Sequence, residues 1–193
     1  EFSCQSMMDE VDLTPFAGLT ELTRLTFYRN NNNSVAVKDL SPLSGLTKMK
    51  RLSLCLDFDV TDLSPLAGMT EMEELQIFNN SNNSNRSGIT DISALAGMTK
   101  LSSMNLQVGD VQDLSPLAGL TSLTEMWFYG NYLLEDLSFL QNLTELRTLS
   151  ISSDIYEGVP VQDDLFALSN LTKLTSLQIN VPVVSLDGLE NLT

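Results

Sequence analysis

Histidine is absent from this chain of 193 residues. That removes the commonest general base and the commonest metal ligand. Cysteine occurs only as Cys4 and Cys55, too few for a zinc cluster or a disulfide framework, and without histidine a Cys–His nucleophile is impossible. A Cys4–Cys55 bridge would have to cross at least one repeat. No apolar run reaches the roughly 18 residues that span a membrane. Glu1 to Gln5 lack the basic and apolar regions of a signal peptide, so a secreted form would carry its signal ahead of Glu1 or would have shed it. Basic residues are scarce: 10 Lys and Arg stand against 25 Asp and Glu, a net charge of −15. The resulting field repels polyanions and disfavours nucleic acid and anionic membrane as partners.

What the chain has in abundance is one phrase, repeated. Asp12-Leu13-Thr14-Pro15-Phe16-Ala17-Gly18-Leu19-Thr20 recurs from Asp39, Asp62, Asp91 and Asp113, with looser copies from Asp136 and Asp164 and a partial one from Leu186. The first apolar anchors are Leu13, Leu40, Leu63, Ile92, Leu114, Leu137, Leu165 and Leu186, spaced 27, 23, 29, 22, 23, 28 and 21 residues apart. Counted from each anchor, apolar residues fall at +0, +3, +6, +9, +12 and +14. All 45 such sites are Leu, Ile, Met or Phe. A fixed period of this length means a stack of like units, each unable to bury its apolar face alone.

The change of period within a unit predicts its local structure. Steps of three fit a short, tight helical turn, and the final step of two, as in Leu25-Thr26-Phe27, fits one strand. Ser-Pro at 41–42, 64–65 and 115–116 marks a helix start, with the hydroxyl as cap and proline where a missing N–H costs nothing. Five residues past each anchor stands Gly18, Gly45, Gly68, Gly97, Gly119, Asn142, Asn170 or Asn191. Gly and Asn accept positive φ most readily, so this column predicts a left-handed or otherwise tight turn. The asparates at 12, 39, 62, 91, 113, 136 and 164 form a column that invites a calcium reading. Calcium wants about six to eight converging oxygens, whereas one carboxylate per coil suits local turn capping. No metal or cofactor site is expected.

Leu22-x-x-Leu25-x-Phe27-x-x-Asn30 followed by Asp39-Leu40-Ser41-Pro42-Leu43 resembles a leucine-rich repeat, and the Asp-Leu-Ser-Pro-Leu-Ala-Gly-Leu-Thr phrase resembles the bacterial internalin-like class. The resemblance covers nearly the whole chain. It implies an α/β solenoid of about seven and a half coils, with a parallel β-sheet on the concave face and short 3-10 or helical turns on the convex face. It further implies a secreted or cell-surface protein that binds a partner through the concave sheet. The asparagine ladder of that class is incomplete here, reading Asn30, Asp57, Asn80, Gly109, Asn131, Asp154 and Pro182. Residues 1–12 read as an N-terminal lead or partial cap. Residues 13–193 read as the array, expected to be truncated or to continue beyond Thr193, because an open end exposes core.

Side chains between the strand anchors point out of the concave face in three columns. They run Arg24, Arg51, Glu74, Ser103, Glu125, Thr148, Ser176; then Thr26, Ser53, Gln76, Asn105, Trp127, Ser150, Gln178; then Tyr28, Cys55, Phe78, Gln107, Tyr129, Ser152, Asn180. Trp127, the sole tryptophan, is expected to be exposed with Tyr129 beside it, and with Phe78 and Tyr28 in the outer column. Such aromatics offer large apolar area at low entropy cost to a protein or glycan; cross-strand packing within the sheet is the alternative. Arg24 and Arg51 stack on adjacent strands, where Arg51 pairs with Glu74 on the next strand, or the two meet an acidic partner group, or they are simply solvated.

Extra residues follow the strand in units one, three and six, and insertions at one phase of a repeat share one edge. Asn31, Asn32, Asn82 and Asn83 in these loops are candidate edge contacts, unless the loops are simply solvated. Asn32, Asn82 and Asn85 are sequons that a eukaryotic secretory pathway would glycosylate. Asn142, Asn170 and Asn191 are also sequons but coincide with the repeated turn.

These readings converge on a non-catalytic extracellular or cell-surface recognition module for a protein or glycan, with no nucleic-acid partner and no direct membrane insertion. The alternative is a structural spacer in a longer adhesin or surface filament, whose partners would be neighbouring segments of the same chain. No pair of carboxylates has the apolar pocket or spacing of acid–base catalysis.

Overall fold

The computed structural model describes residues 1–4, 10–27, 36–79, 88–107, 109, 111–130, 136–152, 162–180 and 182–192. The main elements are strands β1 (Phe2–Cys4), β2 (Glu10–Val11), β3 (Arg24–Phe27), β4 (Ala36–Val37), β5 (Arg51–Leu56), β6 (Glu74–Asn79), β7 (Ser103–Gln107), β8 (Glu125–Tyr129), β9 (Thr148–Ser152) and β10 (Ser176–Asn180). The sheet runs β1-β3-β5-β6-β7-β8-β9-β10, and every described pairing is parallel. The short strands β2 and β4 pair beside this path, and Val37 of β4 reaches Leu56 of β5. Among the described residues the only helical elements are 3-10 turns at Thr14–Phe16, Ser41–Leu43, Ser64–Leu66, Ser93–Leu95, Ser115–Leu117, Ser138–Asn142 and Phe166–Leu168. The solenoid of parallel strands and tight turns is therefore the one the repeat predicts.

The three-residue step has a direct backbone cause. In the fifth coil the N–H of Leu117 donates to the carbonyl of Leu114, Leu120 to Leu117, and Leu123 to Leu120, each at 3.0 Å. The same chain of i→i+3 bonds links +0, +3, +6 and +9 in all seven full coils. A 3-10 bond returns the chain to the same side every three residues, so the four apolar residues all face the core. Coils are then tied where each strand begins. The Lys50 carbonyl accepts from both Glu73 N–H and Glu74 N–H, that of Glu73 from Ser102 and Ser103, and that of Ser102 from Thr124 and Glu125. The hydroxyls of Ser102 and Thr124 join the same carbonyls at 3.0 and 2.9 Å.

All predicted apolar sites from Leu40 through Ile151 are buried. The exceptions lie at the ends: Leu19 is 47% exposed, Leu177 36% and Leu186 66%, while Leu22, Ile179, Leu189 and Leu192 are half-buried. An end coil has a neighbour on one side only, so its sites are half-covered. The sequence reading also missed a column three residues before the anchors, where Val37, Val60, Ile89 and Val111 are all buried. It lies ahead of the repeated phrase, behind insertions of variable length.

Two local expectations need correction. The hydroxyl of the Ser or Thr is not the cap. Asp Oδ1, two residues earlier, accepts its backbone N–H instead, at 2.8 Å for Asp12–Thr14, Asp39–Ser41 and Asp91–Ser93 and 2.7 Å for Asp62–Ser64. The hydroxyls of Ser41, Ser64 and Ser138 donate to the other oxygen of the same carboxylate. The glycine column is a tight turn, one of its two expected forms, but not a left-handed one. Among the described residues, positive φ belongs to Gly130 and Gly188. A side-chain carbon placed on Gly18 or Gly119 meets nothing within 4 Å, which is why asparagine can replace glycine in the later coils.

Candidate functional site

The alternation of buried and outward residues along β3, β7 and β8 sets out the face of the sheet away from the core. In β8 the order is exposed, buried, half-buried, buried, half-buried, so Met126 and Phe128 enter the core while Glu125, Trp127 and Tyr129 share the open face. Trp127 and Phe78 were expected to stand free on this face, but both are half-buried, as is Tyr129. Side chains on neighbouring strands, about 4.8 Å away, take part of each ring's exposure. Tyr28 lies outside the described residues, as do Asn31, Asn32, Asn82, Asn83 and Asn85. Cys55 pairs in register with Phe78 and is only 2% exposed. Leu54, Cys55 and Leu56 are buried in succession, but Cys55 does not join the core cluster that its two neighbours enter.

The open face divides into two halves. The N-terminal half is charged. Arg24 and Arg51 stand opposite each other in register, and each has an acid of its own: Arg24 meets Glu1 at 2.8 Å and Arg51 meets Glu74 at 3.2 Å. The Arg24 guanidinium, first by its hydrogen bond and then by its charge, holds the Glu1 carboxyl below its ordinary value. The Arg51–Glu74 pair is one of the alternatives that the strand order left open. These four side chains, with Ser53 and Gln76, line a shallow hollow of about 270 Å³.

The C-terminal half is polar and nearly neutral. Register places Asn105 beside Trp127 and Trp127 beside Ser150, with Gln178 next. Ser150 is 4% exposed although it faces the open side, and its Oγ has no hydrogen-bond partner. The same holds for Oδ1 of Asn105 on the other flank of the indole. Trp127 is the side chain between them large enough to cover both. The sequence reading placed Asn105 and Ser150 in this column without singling them out; a small polar residue on each side of a lone tryptophan was the available signal.

The larger hollow, about 560 Å³, lies elsewhere, at the turns of coils five and six, lined by Asp113, Leu114, Ser115, Ala118, Asp136 and Phe139. Both carboxylates there already accept from Ser115 and Ser138. No cluster of three potential metal ligands exists among the described residues. Size alone does not make this hollow a site, since its polar groups serve the fold.

One further charge pattern escaped the sequence reading. Eight residues past each anchor the chain carries Glu21, Lys48, Glu71, Lys100, Ser122, Glu145 and Lys173. Lys48 pairs with Glu21, Lys100 with Glu71 and Lys173 with Glu145, each at 2.6 Å. Lys50 and Glu73 add a parallel pair at 2.7 Å. The pattern was visible once the residues were aligned on the anchors.

Two solved structures share this repeat geometry and more than a quarter of the aligned residues. An internalin C2 from Listeria monocytogenes superposes with a TM-score of 0.72 at 28% identity, over 92% of this chain and 70% of its own. An internalin (InlF) from the same species gives 0.64 at 29%, over 94% and 55%. The chain has an internalin-like leucine-rich-repeat fold. A leucine-rich-repeat protein from Leptospira interrogans, with a TM-score of 0.59 and 13% identity, shares the fold alone. No protein-family model matches the chain, and no curated protein matches it in sequence. This internalin-like chain spans about half the length of the second Listeria structure. Among its described residues no helix is long and apolar enough to cross a membrane.

Proposed function

We propose that this chain is a non-catalytic recognition module, carried at a cell surface or secreted, that binds a protein or glycan through the open, concave face of its sheet. The observation that supports this most is the aromatic pair Trp127 and Tyr129 on the outward side of β8, with Phe78 two strands away. A rigid parallel sheet presents such groups at low entropic cost, and aromatic anchors carry a disproportionate share of binding energy. Arg24 and Arg51 contribute as half of a charged rim, since each is compensated within the chain. The proposal extends to Asn31, Asn32, Asn82 and Asn83 as further contacts, and to Asn32, Asn82 and Asn85 as glycan acceptors if the host modifies them; all lie outside the described residues.

A spacer role in a longer adhesin is the second reading. It draws on the far edge, where β10 has no further strand among the described residues and Leu177, Val184 and Leu186 are exposed. A binding screen against arrays of extracellular proteins and glycans, run with wild type and Trp127→Ala, separates the two. A recognition module gives a hit that the variant loses by about tenfold or more while its circular dichroism is unchanged. Silence from wild type favours the spacer.

A further inference from the structure

We propose that Trp127 is a movable cover over a neutral-glycan subsite whose polar contacts are Asn105 and Ser150. The assignment rests on the open face being the recognition surface, and it goes further by naming the ligand chemistry and the atoms that meet it. Ser150 is 96% buried by its 4% exposure, and its Oγ is unpartnered; Asn105 Oδ1 is likewise buried and unpartnered. Buried polar atoms in a folded protein almost always have a partner, so two orphans flanking one side chain call for an explanation. The core supplies none, because both residues face the opposite side of the sheet from Met104, Leu106, Leu149 and Ile151. The partner is therefore a group that arrives from the open face when the indole swings aside.

The geometry selects among ligands. Asn105 and Ser150 lie on β7 and β9, two strands apart, a separation of about 9.6 Å across the sheet. A ligand bridging them must cross the strands in the space the indole vacates and present a flat apolar surface to the displaced ring. An extended peptide on that course presents same-side N–H groups about every 6.7 Å, out of step with the two acceptors, and a side chain where the flat surface is needed. A glycan presents hydroxyl donors densely around its rings and a C–H face suited to an aromatic. The central column is uncharged, with Gln76 and Gln178 further out, and the exposed Glu125 carboxylate on the same face of β8 repels an anionic sugar, so the sugar assigned is a neutral one.

Trp127 is the only tryptophan, which makes its fluorescence a local probe in the intact chain. Cellotetraose, maltotetraose and chitotetraose are titrated into wild type, Asn105→Ala, Ser150→Ala and the distant control Thr26→Ala, with a neutral Gly/Ala peptide as the peptide arm. The expected result is a saturable emission change with at least one tetrasaccharide, weakened about tenfold by Asn105→Ala and by Ser150→Ala and unaltered by Thr26→Ala. Ser150→Ala should also raise the urea midpoint or leave it unchanged, because the removed hydroxyl has no bond to lose. A purely structural serine would leave sugar binding intact. No response to any sugar at millimolar concentration overturns the proposal, as does equal binding by the alanine variants. A response to the peptide alone overturns the glycan assignment and leaves the open-face reading standing. Wild type silent here and in the protein screen removes both.

Discussion

Asp136 shows how one carboxylate serves a turn. Its Oδ1 accepts the Ser138 N–H at 2.7 Å and its Oδ2 the Ser138 hydroxyl at 2.6 Å. The hydroxyl first, and then the N–H, hold its carboxyl below the ordinary value. Asp12 and Asp113 are lowered by the same two groups in that order, and Asp91 by the N–H first. Replacing Asp136 by alanine should cost about 1 kcal/mol in urea denaturation, and by asparagine only a fraction of that. The pH dependence has a fixed sign. These folded-state values lie below the unfolded ones, so their contribution is whole above the ordinary carboxylate range and drains away as pH falls through the lowered values. Urea midpoints should therefore drop below about pH 4, and an Asp91→Asn/Asp113→Asn double variant should flatten that drop. A steeper drop in the variant would refute this account. Lys50 runs the other way. The Glu73 carboxylate, by hydrogen bond and then charge, raises its ammonium, so that contribution is lost only as pH climbs past the ordinary lysine value.

Within a coil, the 3-10 chain and the strand divide the work: the turn brings four apolar side chains to one side, and the strand adds two. Gly188 and Gly119 show how differently one residue type is used in such an element. Gly188 has φ +104°, and a side-chain carbon there would lie 2.5 Å from the Leu165 backbone. That contact lets Asp187 accept the Leu165 N–H at 2.8 Å. Gly119 has open space and no positive φ. Gly188→Ala should lower stability by more than about 1 kcal/mol, whereas Gly119→Ala should be neutral or gain about 0.5 kcal/mol. Paired thermal melts decide it; equal effects would show that the close approach at Gly188 has no energetic weight.

Across the whole molecule, each coil touches only its neighbours, so stability adds up along the stack instead of residing in one centre. The fully buried coils run from Leu40 to Ile151, and burial fades toward β1 and β10. The four Lys–Glu pairs between successive coils are exposed and individually weak, but their fixed register favours one stacking order over a slipped one. Native-state hydrogen exchange should show β10 opening first and the amides of β6, β7 and β8 last. Uniform protection from end to end would contradict a nearest-neighbour stack.

The sequence by itself determined the fold, because a repeat turns one local solution into many and the signal accumulates over 45 sites. Spacing alone set the turn, the strand and the parallel register, since in-register coils bring equal phases together, and it left the Arg51–Glu74 pair as one alternative among three. The column at Val37, Val60, Ile89 and Val111 was harder to read because insertions of variable length separate it from the preceding strand. What only the tertiary structure decided is how residues of equal phase differ. Trp127 is half-buried where Gln76 of the same column is exposed, Ser150 is 4% exposed on the strand beside it, and Cys55 is buried between Leu54 and Leu56. Phase fixes which face a side chain leaves from. Burial depends on the size of whatever stands on the next strand, a residue that in this chain is 22 or more positions away.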